Sequence, residues 1–280
     1  MSSQVPIPTL HLFAKLDQLL LDVLRPLSID AWDSPTLSPQ WTIKDIAAHL
    51  LDGNLRTLSI LRDGFRGDPP VNINGYRDLV NYLNDLNTIW VLAYKRISPR
   101  LLLQMLETTG TEYLECLEKL EPFAPAMFSV AWAGENESQN WFHVAREYTE
   151  KWHHQQQIRE ALGLQQELMS AELFHPCIET FMKALPNAYK SADAVVGTIV
   201  KVEVTGAGGD VWYIEKTLAG WRFINNMAMV PPAAYICMPD TIAWKLFTKA
   251  LKYPDVNGLI KTEGEATLVS PVLNMLTVMA

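Results

Sequence analysis

Cysteine, basic charge and long apolar runs are all scarce in this chain, and each scarcity removes a class of function. The three cysteines, Cys116, Cys177 and Cys237, are odd in number and widely spaced. They support neither a disulfide framework nor a cysteine-based zinc site, and a reducing compartment is expected. Lysine and arginine number 23 against 31 acidic residues, a net charge of −8. No basic face is left to dominate phosphate binding, so nucleic acid is not an expected partner. No apolar run is long enough to span a bilayer. The opening MSSQVPIPTLHLF lacks the charged start and apolar stretch of a signal peptide. A cytoplasmic protein without a membrane partner is the expectation.

What is present is enough apolar material for a sizeable core: 49% of 280 residues, a length more natural for two domains than one. The first 165 or so residues read as helices. PTLHLFAKLDQLLLDVLRPL has leucines at helical spacing. WTIKDIAAHLLDGNLRTLSILRDGF reads as a second helix, with Thr42 as N-cap and Asp45 as its capping-box acid. RGDPPVNING is a loop, and two further helices follow, separated at Ser98-Pro99. The next helix runs from about Asn140 to Leu162, with Gly163 as its stop. Long amphipathic helices with modest connections imply a bundle. Past residue 165 the pattern changes. LMSAELFHPCIETFMKAL is one more helix, but TIVKVEVTG alternates, with Val200, Val202 and Val204 on one face. AGGD is a turn, and VWYIEK, WRFI and AAYICM are short strands. A helix capped by Asp240 and a final strand, turn and helix complete a small α+β domain. The fold class is therefore mainly α with α+β, divided as 1–165 and 166–280.

One helix carries chemistry that a packing role does not need. REYTEKWHHQQQIREALG holds two histidines and three glutamines beside Trp152 and Ile158. Residues four apart on a helix share a face, so Glu150 and His154 form a carboxylate–imidazole pair. His143 and Glu147 fall near the same stripe. His153 is rotated about 100° from His154 and is expected to stand off any shared centre. Two ligands need a third from another helix. His49, among Ile46, Ala47, Ala48 and Leu50, lies on a face expected to be buried. A His2Glu set leaves a coordination position open, the catalytic arrangement for zinc. Glu-x-x-x-His also occurs as an ordinary surface pair, so spacing suggests this site without establishing it.

A resemblance narrows the reading. WTIKDIAAHLLDGN resembles the N-terminal signature of the DinB-like, mycothiol-dependent maleylpyruvate isomerase family: a Trp, a basic–acidic pair, then Ala-His-Leu. EKWHHQQQIREALG resembles the later signature, in which a metal ligand, three residues and a His precede a helical ending. Together the motifs span most of residues 10–163. The resemblance implies a DinB-like four-helix bundle followed by a sterol-carrier-like α+β domain. It implies His49, Glu150 and His154 as ligands of a divalent metal, zinc before nickel or another divalent ion. It also implies a low-molecular-weight thiol as cofactor. One departure stands out: the isomerase branch follows its last His with Gly-Trp-Asp-Leu, whereas this chain has Gln155-Gln156-Gln157-Ile158.

The expected function is a metal-dependent, thiol-using isomerase or S-transferase acting on a small molecule. A metal-binding or apolar-ligand carrier module and a metal hydrolase are the alternatives, and a homodimer is left open. Two residues stand as catalytic candidates. Asn87 belongs to a polar stripe with Asn81 and Asn84, which reads equally as a solvated face. Arg222, beside Trp221 in the C-terminal sheet, could meet a carboxylate bidentately. His143 reads as a group orienting a ligand or as helix surface, and Cys116 as core packing.

Overall fold

The computed structural model describes residues 4–67, 73–225 and 231–278. Part of the loop expected over 66–75 lies outside the described residues. Contacts divide the chain into two compact units: Pro8–Ala124 with Glu150–Gln165, and Pro125–Thr149 with Gln166–Val278, the latter also taking residues 1–7. The sequence reading placed a single cut after residue 165; the contacts also group the segment 125–149 with the sheet-bearing part.

The helical unit contains α1 (Phe13–Leu24), α2 (Ile43–Thr57), α3 (Tyr76–Tyr94), α4 (Pro99–Glu118) and the C-terminal part of α5 (Asn140–Leu162). Leu20, Leu24, Trp32, Ile43, Ile46, Ala47, Leu51, Leu102, Leu106 and Ile158 form its apolar core. The ends of the helices follow local chemistry. Thr42 accepts from the Asp45 amide at 3.3 Å, and the Asp45 carboxylate accepts from the Thr42 amide at 3.0 Å, a complete capping box. Ser98 caps α4 and Pro99 occupies its first turn, where a missing N–H costs nothing. At the end of α5, Gly163 takes φ +71°. Its amide donates to Glu160 O at 3.2 Å, and Leu164 N donates to Arg159 O at 2.8 Å, the paired bonds of a Schellman stop.

The second expected helix differs from the one observed. It was read through to Phe65, but α2 ends at Thr57 and the chain widens into a π-type turn over Leu58–Arg62. Asp63 N there donates to Leu58 O at 3.1 Å. Arg62 bonds both Asp63 and Glu112 of α4, which holds the widened turn. Apolar spacing alone does not distinguish the two kinds of turn.

The second unit is built on a five-stranded sheet of order β3-β2-β1-β4-β5. Its strands are β1 (Ile199–Thr205), β2 (Val211–Thr217), β3 (Gly220–Ile224), β4 (Ala234–Pro239) and β5 (Lys261–Gly264). β1 and β4 run parallel and the other neighbours antiparallel. The alternation of β1 is realised: Val200, Val202 and Val204 are buried with Trp212, Ile214, Ile236 and Met238. Around this core lie α6 (Ala171–Met182), the single turn α7 (Leu185–Ala188), α8 (Asp240–Phe247), the single turn α9 (Tyr253–Val256) and α10 (Ala266–Leu273). Asp240 is the first residue of α8 rather than its cap. The AGGD turn requires glycine: a Cβ on Gly209 would lie 2.0 Å from Val204 O.

Candidate metal centre

α5 is buried although it is polar. His143, Lys151, His153, His154, Gln155, Gln156, Gln157 and Arg159 are all buried. Several have assigned work. Lys151 pairs with Asp17 at 2.8 Å, and Arg159 donates to Leu19 O at 3.0 Å, fastening α5 to α1. His154 has another arrangement. Its Nδ1 is 3.0 Å from Gln157 Oε1, one turn along. A carboxamide oxygen only accepts, so Nδ1 carries the proton and Nε2 keeps its lone pair. That Nε2 lies 3.7 Å from Glu150 Oε2.

Glu150, His153 and His154 each offer a ligand atom, all within 4.8 Å of one another. The sequence reading expected His153 to stand off, yet its ligand atom lies in this group. His153 and His154 are both one turn from Glu150, at i+3 and i+4, and helical side chains lean toward the N-terminus. The two imidazoles converge on the carboxylate, with ring centroids 3.9 Å apart. The spacing Glu-x-x-His-His was the signal for this. His49 arrives from α2. Its ring centroid is 4.6 Å from that of His154 and 4.9 Å from that of Trp41, which also approaches His154 at 6.0 Å. His49 stands beside the trio and is not one of the atoms grouped within 4.8 Å.

The electrostatics suit a cation. Burial pushes the pKa of His154 well below the usual imidazole value, and His153 pushes it further. His49 is lowered in the same way by burial, then by His154 and Arg56. Both rings are therefore neutral near pH 7, the form that coordinates metal. His49 Nδ1 is buried with no hydrogen-bond partner among the described residues. An orphaned ring nitrogen, two neutral imidazoles and a carboxylate are the donor chemistry of a divalent ion, so these residues fit one.

The remaining candidates separate. Asn87 is buried on α3, whereas Asn81 and Asn84 are exposed, so the expected polar stripe is not one face. Arg222 lies on β3 in the other unit, 67% exposed, and pairs with Glu215 across the β2–β3 register at 3.1 Å. His143 is buried, with Arg146 donating to its Nδ1 at 3.2 Å; burial lowers its pKa to about 4. Cys116 is buried on α4, as a packing role requires. Sequence reasoning missed Gln157, which fixes the tautomer of His154. The only signal was its position, three residues after that histidine.

Two solved structures are similar across most of their length. One is a histidine-to-alanine variant of the mycothiol-dependent maleylpyruvate isomerase, with TM-score 0.52, 8% identity, and 92% of this chain and 92% of that chain covered. Another, of the mycothiol-dependent maleylpyruvate isomerase, has TM-score 0.50, 9% identity, and coverage of 85% and 86%. Identity this low establishes a shared fold. No curated protein matches the sequence. The model of the mycothiol maleylpyruvate isomerase N-terminal domain matches residues 13–159, more than half of the chain, and the chain belongs to that family.

Proposed function

We propose that this protein is a metal-dependent enzyme that uses a low-molecular-weight thiol to isomerise a small unsaturated acid of the maleylpyruvate type. The observation that carries the reading is the histidine–glutamate cluster of α5, with His154 buried and neutral, inside a chain of this family. His49, Glu150 and His154 would hold the ion, with His153 close enough to replace or join them. The ion would supply a positive centre that favours the thiolate form of a bound thiol. Zinc suits the nitrogen and oxygen donors, and nickel is the second choice.

The chain's own residues then have definite tasks. Gln157 holds the proton of His154 on Nδ1 and so presents Nε2 to the site. Trp41 covers one side of His49 and His154 and keeps water from the rings. When bound, the thiol would supply a nucleophilic sulfur that adds reversibly to the conjugated double bond, with the electron pair taken up by the adjacent carbonyl and returned as the sulfur leaves, and so would allow rotation about that bond. An S-transferase would stop after addition and protonation. Arg222, on β3 and paired with Glu215, is kept as a candidate carboxylate-binding group of its own unit. Small-molecule substrate and thiol are the partners of this reading, and the cytoplasm is its location. No described helix is long and apolar enough to cross a membrane.

The test is a cis-to-trans assay with maleylpyruvate, mycothiol and zinc- or nickel-loaded protein. Turnover that needs both metal and thiol supports the reading. Metal-loaded, folded protein that turns over no unsaturated acid with any thiol contradicts it.

A further inference from the structure

Of the three glutamines that follow His154, two have partners among the described residues and one has none. Gln157 meets His154, and Gln156 Nε2 donates to Gln165 O at 3.0 Å. Gln155 is 1% exposed, and neither its Oε1 nor its Nε2 has a hydrogen-bond partner among the described residues. Buried amide groups are almost always hydrogen-bonded, because taking a carboxamide out of water strips both its oxygen and its N–H groups of partners. Asn54 on α2 poses the same question. It is also 1% exposed; its Nδ2 donates to Thr109 Oγ1 at 3.1 Å, while its Oδ1 has no partner among the described residues.

These side chains belong to a polar seam inside the helical unit, to which α1, α2, α4 and α5 all contribute. Residues four apart on a helix stand on one face, so Lys151 and Gln155 are neighbours on α5. The Lys151 ammonium pairs with Asp17 of α1 at 2.8 Å and lies 4.7 Å from the ring centroid of Tyr113 on α4. Asp17 rests against Gly110 of α4, where a Cβ would stand 2.9 Å from its Oδ2. Thr109, next to Gly110, accepts the bond from Asn54 and gives its own proton to Met105 O at 2.7 Å. Lys151 is 8% exposed, and Asp17 is its hydrogen-bond partner among the described residues. An ammonium carries more N–H donors than one carboxylate oxygen uses. The seam therefore holds spare donors on Lys151 and Gln155 beside unmet acceptors on Gln155 and Asn54.

We infer that this seam is a binding site for ordered water, with one molecule held between Lys151 and Gln155 and another on Asn54. Water suits every group at once: it accepts from the Lys151 ammonium and from Gln155 Nε2, and it donates to Gln155 Oε1 and Asn54 Oδ1. A metal cation would leave Nε2 unmet and would stand beside an ammonium. An anion would leave both carboxamide oxygens unmet, and an apolar guest would leave every one of these groups unmet. A buried water needs about two to four polar partners, and Lys151 with Gln155 supplies them. The inference does not depend on the thiol reading. It gives the two sides of α5 different guests: His154 faces His49 and the proposed ion, and Gln155, about 100° further round the helix, faces water.

The test is magnetic relaxation dispersion of solvent water, which counts long-lived internal waters, on the full chain and on its Gln155→Met and Asn54→Leu variants. Methionine keeps the unbranched length of glutamine and removes its carboxamide, and leucine does the same for the shape of asparagine. Thermal unfolding is measured on the same samples. The expected result is that each variant loses at least one long-lived water and melts no higher than wild type. An unchanged count in either variant overturns the site at that residue. So does a variant that melts higher, because that is the response of a dry, unmet carboxamide whose cost has been removed. Should either variant fail to fold, wild type decides by itself through dipolar cross-relaxation between water and the assigned side-chain amide protons of Gln155 and Asn54. A signal at the Gln155 amide upholds the inference, and its absence there overturns it.

Discussion

Helix α1 and the C-terminal part of α5 are both packed into the helical unit, yet they are buried for opposite reasons. α1 turns Leu16, Leu20, Leu21 and Leu24 inward and leaves Lys15, Gln18 and Asp22 at the surface or edge. Its burial is favourable in itself, at about 25 cal/mol for each Å² of apolar surface removed from water. α5 buries histidines, glutamines, a lysine and an arginine, and offsets that cost through contacts such as Lys151–Asp17, His154–Gln157 and Arg159–Leu19. The contrast places stability in α1 and, on the proposed reading, chemistry in α5.

The largest test of that division pairs one substitution in each helix. His154→Ala removes a proposed ligand nitrogen and should weaken divalent-metal binding more than 100-fold in titration, with a modest change in the unfolding of metal-free protein. Leu24→Ala empties a fully buried core position and should cost about 2–5 kcal/mol in denaturant unfolding, with metal affinity of the folded protein retained. Equal effects of both substitutions on both measurements would dissolve the distinction.

A pH experiment sharpens it from another side. The pKa of His143 on α5 is about 4, lowered chiefly by burial. The unfolded chain therefore takes up the proton first, near the free histidine value of about 6.5. Stability from this group is complete above that pH and is lost as pH falls through about 4, up to about 3 kcal/mol in total. His49 and His154 act with the same sign in metal-free protein, since burial lowers both. Denaturant unfolding at pH 7 and pH 4.5 should show this loss, and His143→Gln should reduce it. A profile unchanged by that substitution would mean that His143 is not held neutral.

The smallest effect concerns Gln157. Its oxygen positions the His154 ring without touching a ligand, so Gln157→Ala should weaken metal binding about 10–100-fold. Gln157→Glu, which keeps an acceptor at Nδ1, should recover most of that affinity. Equal losses in the two variants would show that the contact does not orient the ring.

These contrasts also show what the sequence could convey. The capping box at Thr42, the glycine stop at Gly163 and the alternation of Val200, Val202 and Val204 were legible because each is a local rule read within a few residues. The proximity of Glu150 and His154 was legible for the same reason. The nearness of His153 to the same group was not legible, because the angle between adjacent Cα–Cβ bonds says little about where two long imidazole arms meet. The π-type turn after Thr57 was invisible because it depends on Arg62 reaching Glu112, fifty residues away. The isolation of Asn87 from Asn81 and Asn84 depends on how α3 lies against α2, which helical spacing does not determine.

The central claim is that α5, with His49, holds a divalent ion through imidazole nitrogen and carboxylate oxygen. X-ray absorption at the metal edge of zinc-loaded protein tests it most directly. The account predicts one ion per chain, with at least two imidazole nitrogens and a carboxylate oxygen at about 2.0–2.2 Å. The imidazole count should fall by one in His49→Ala and by one in His154→Ala. A spectrum of water oxygens alone, unchanged by either substitution, would contradict it.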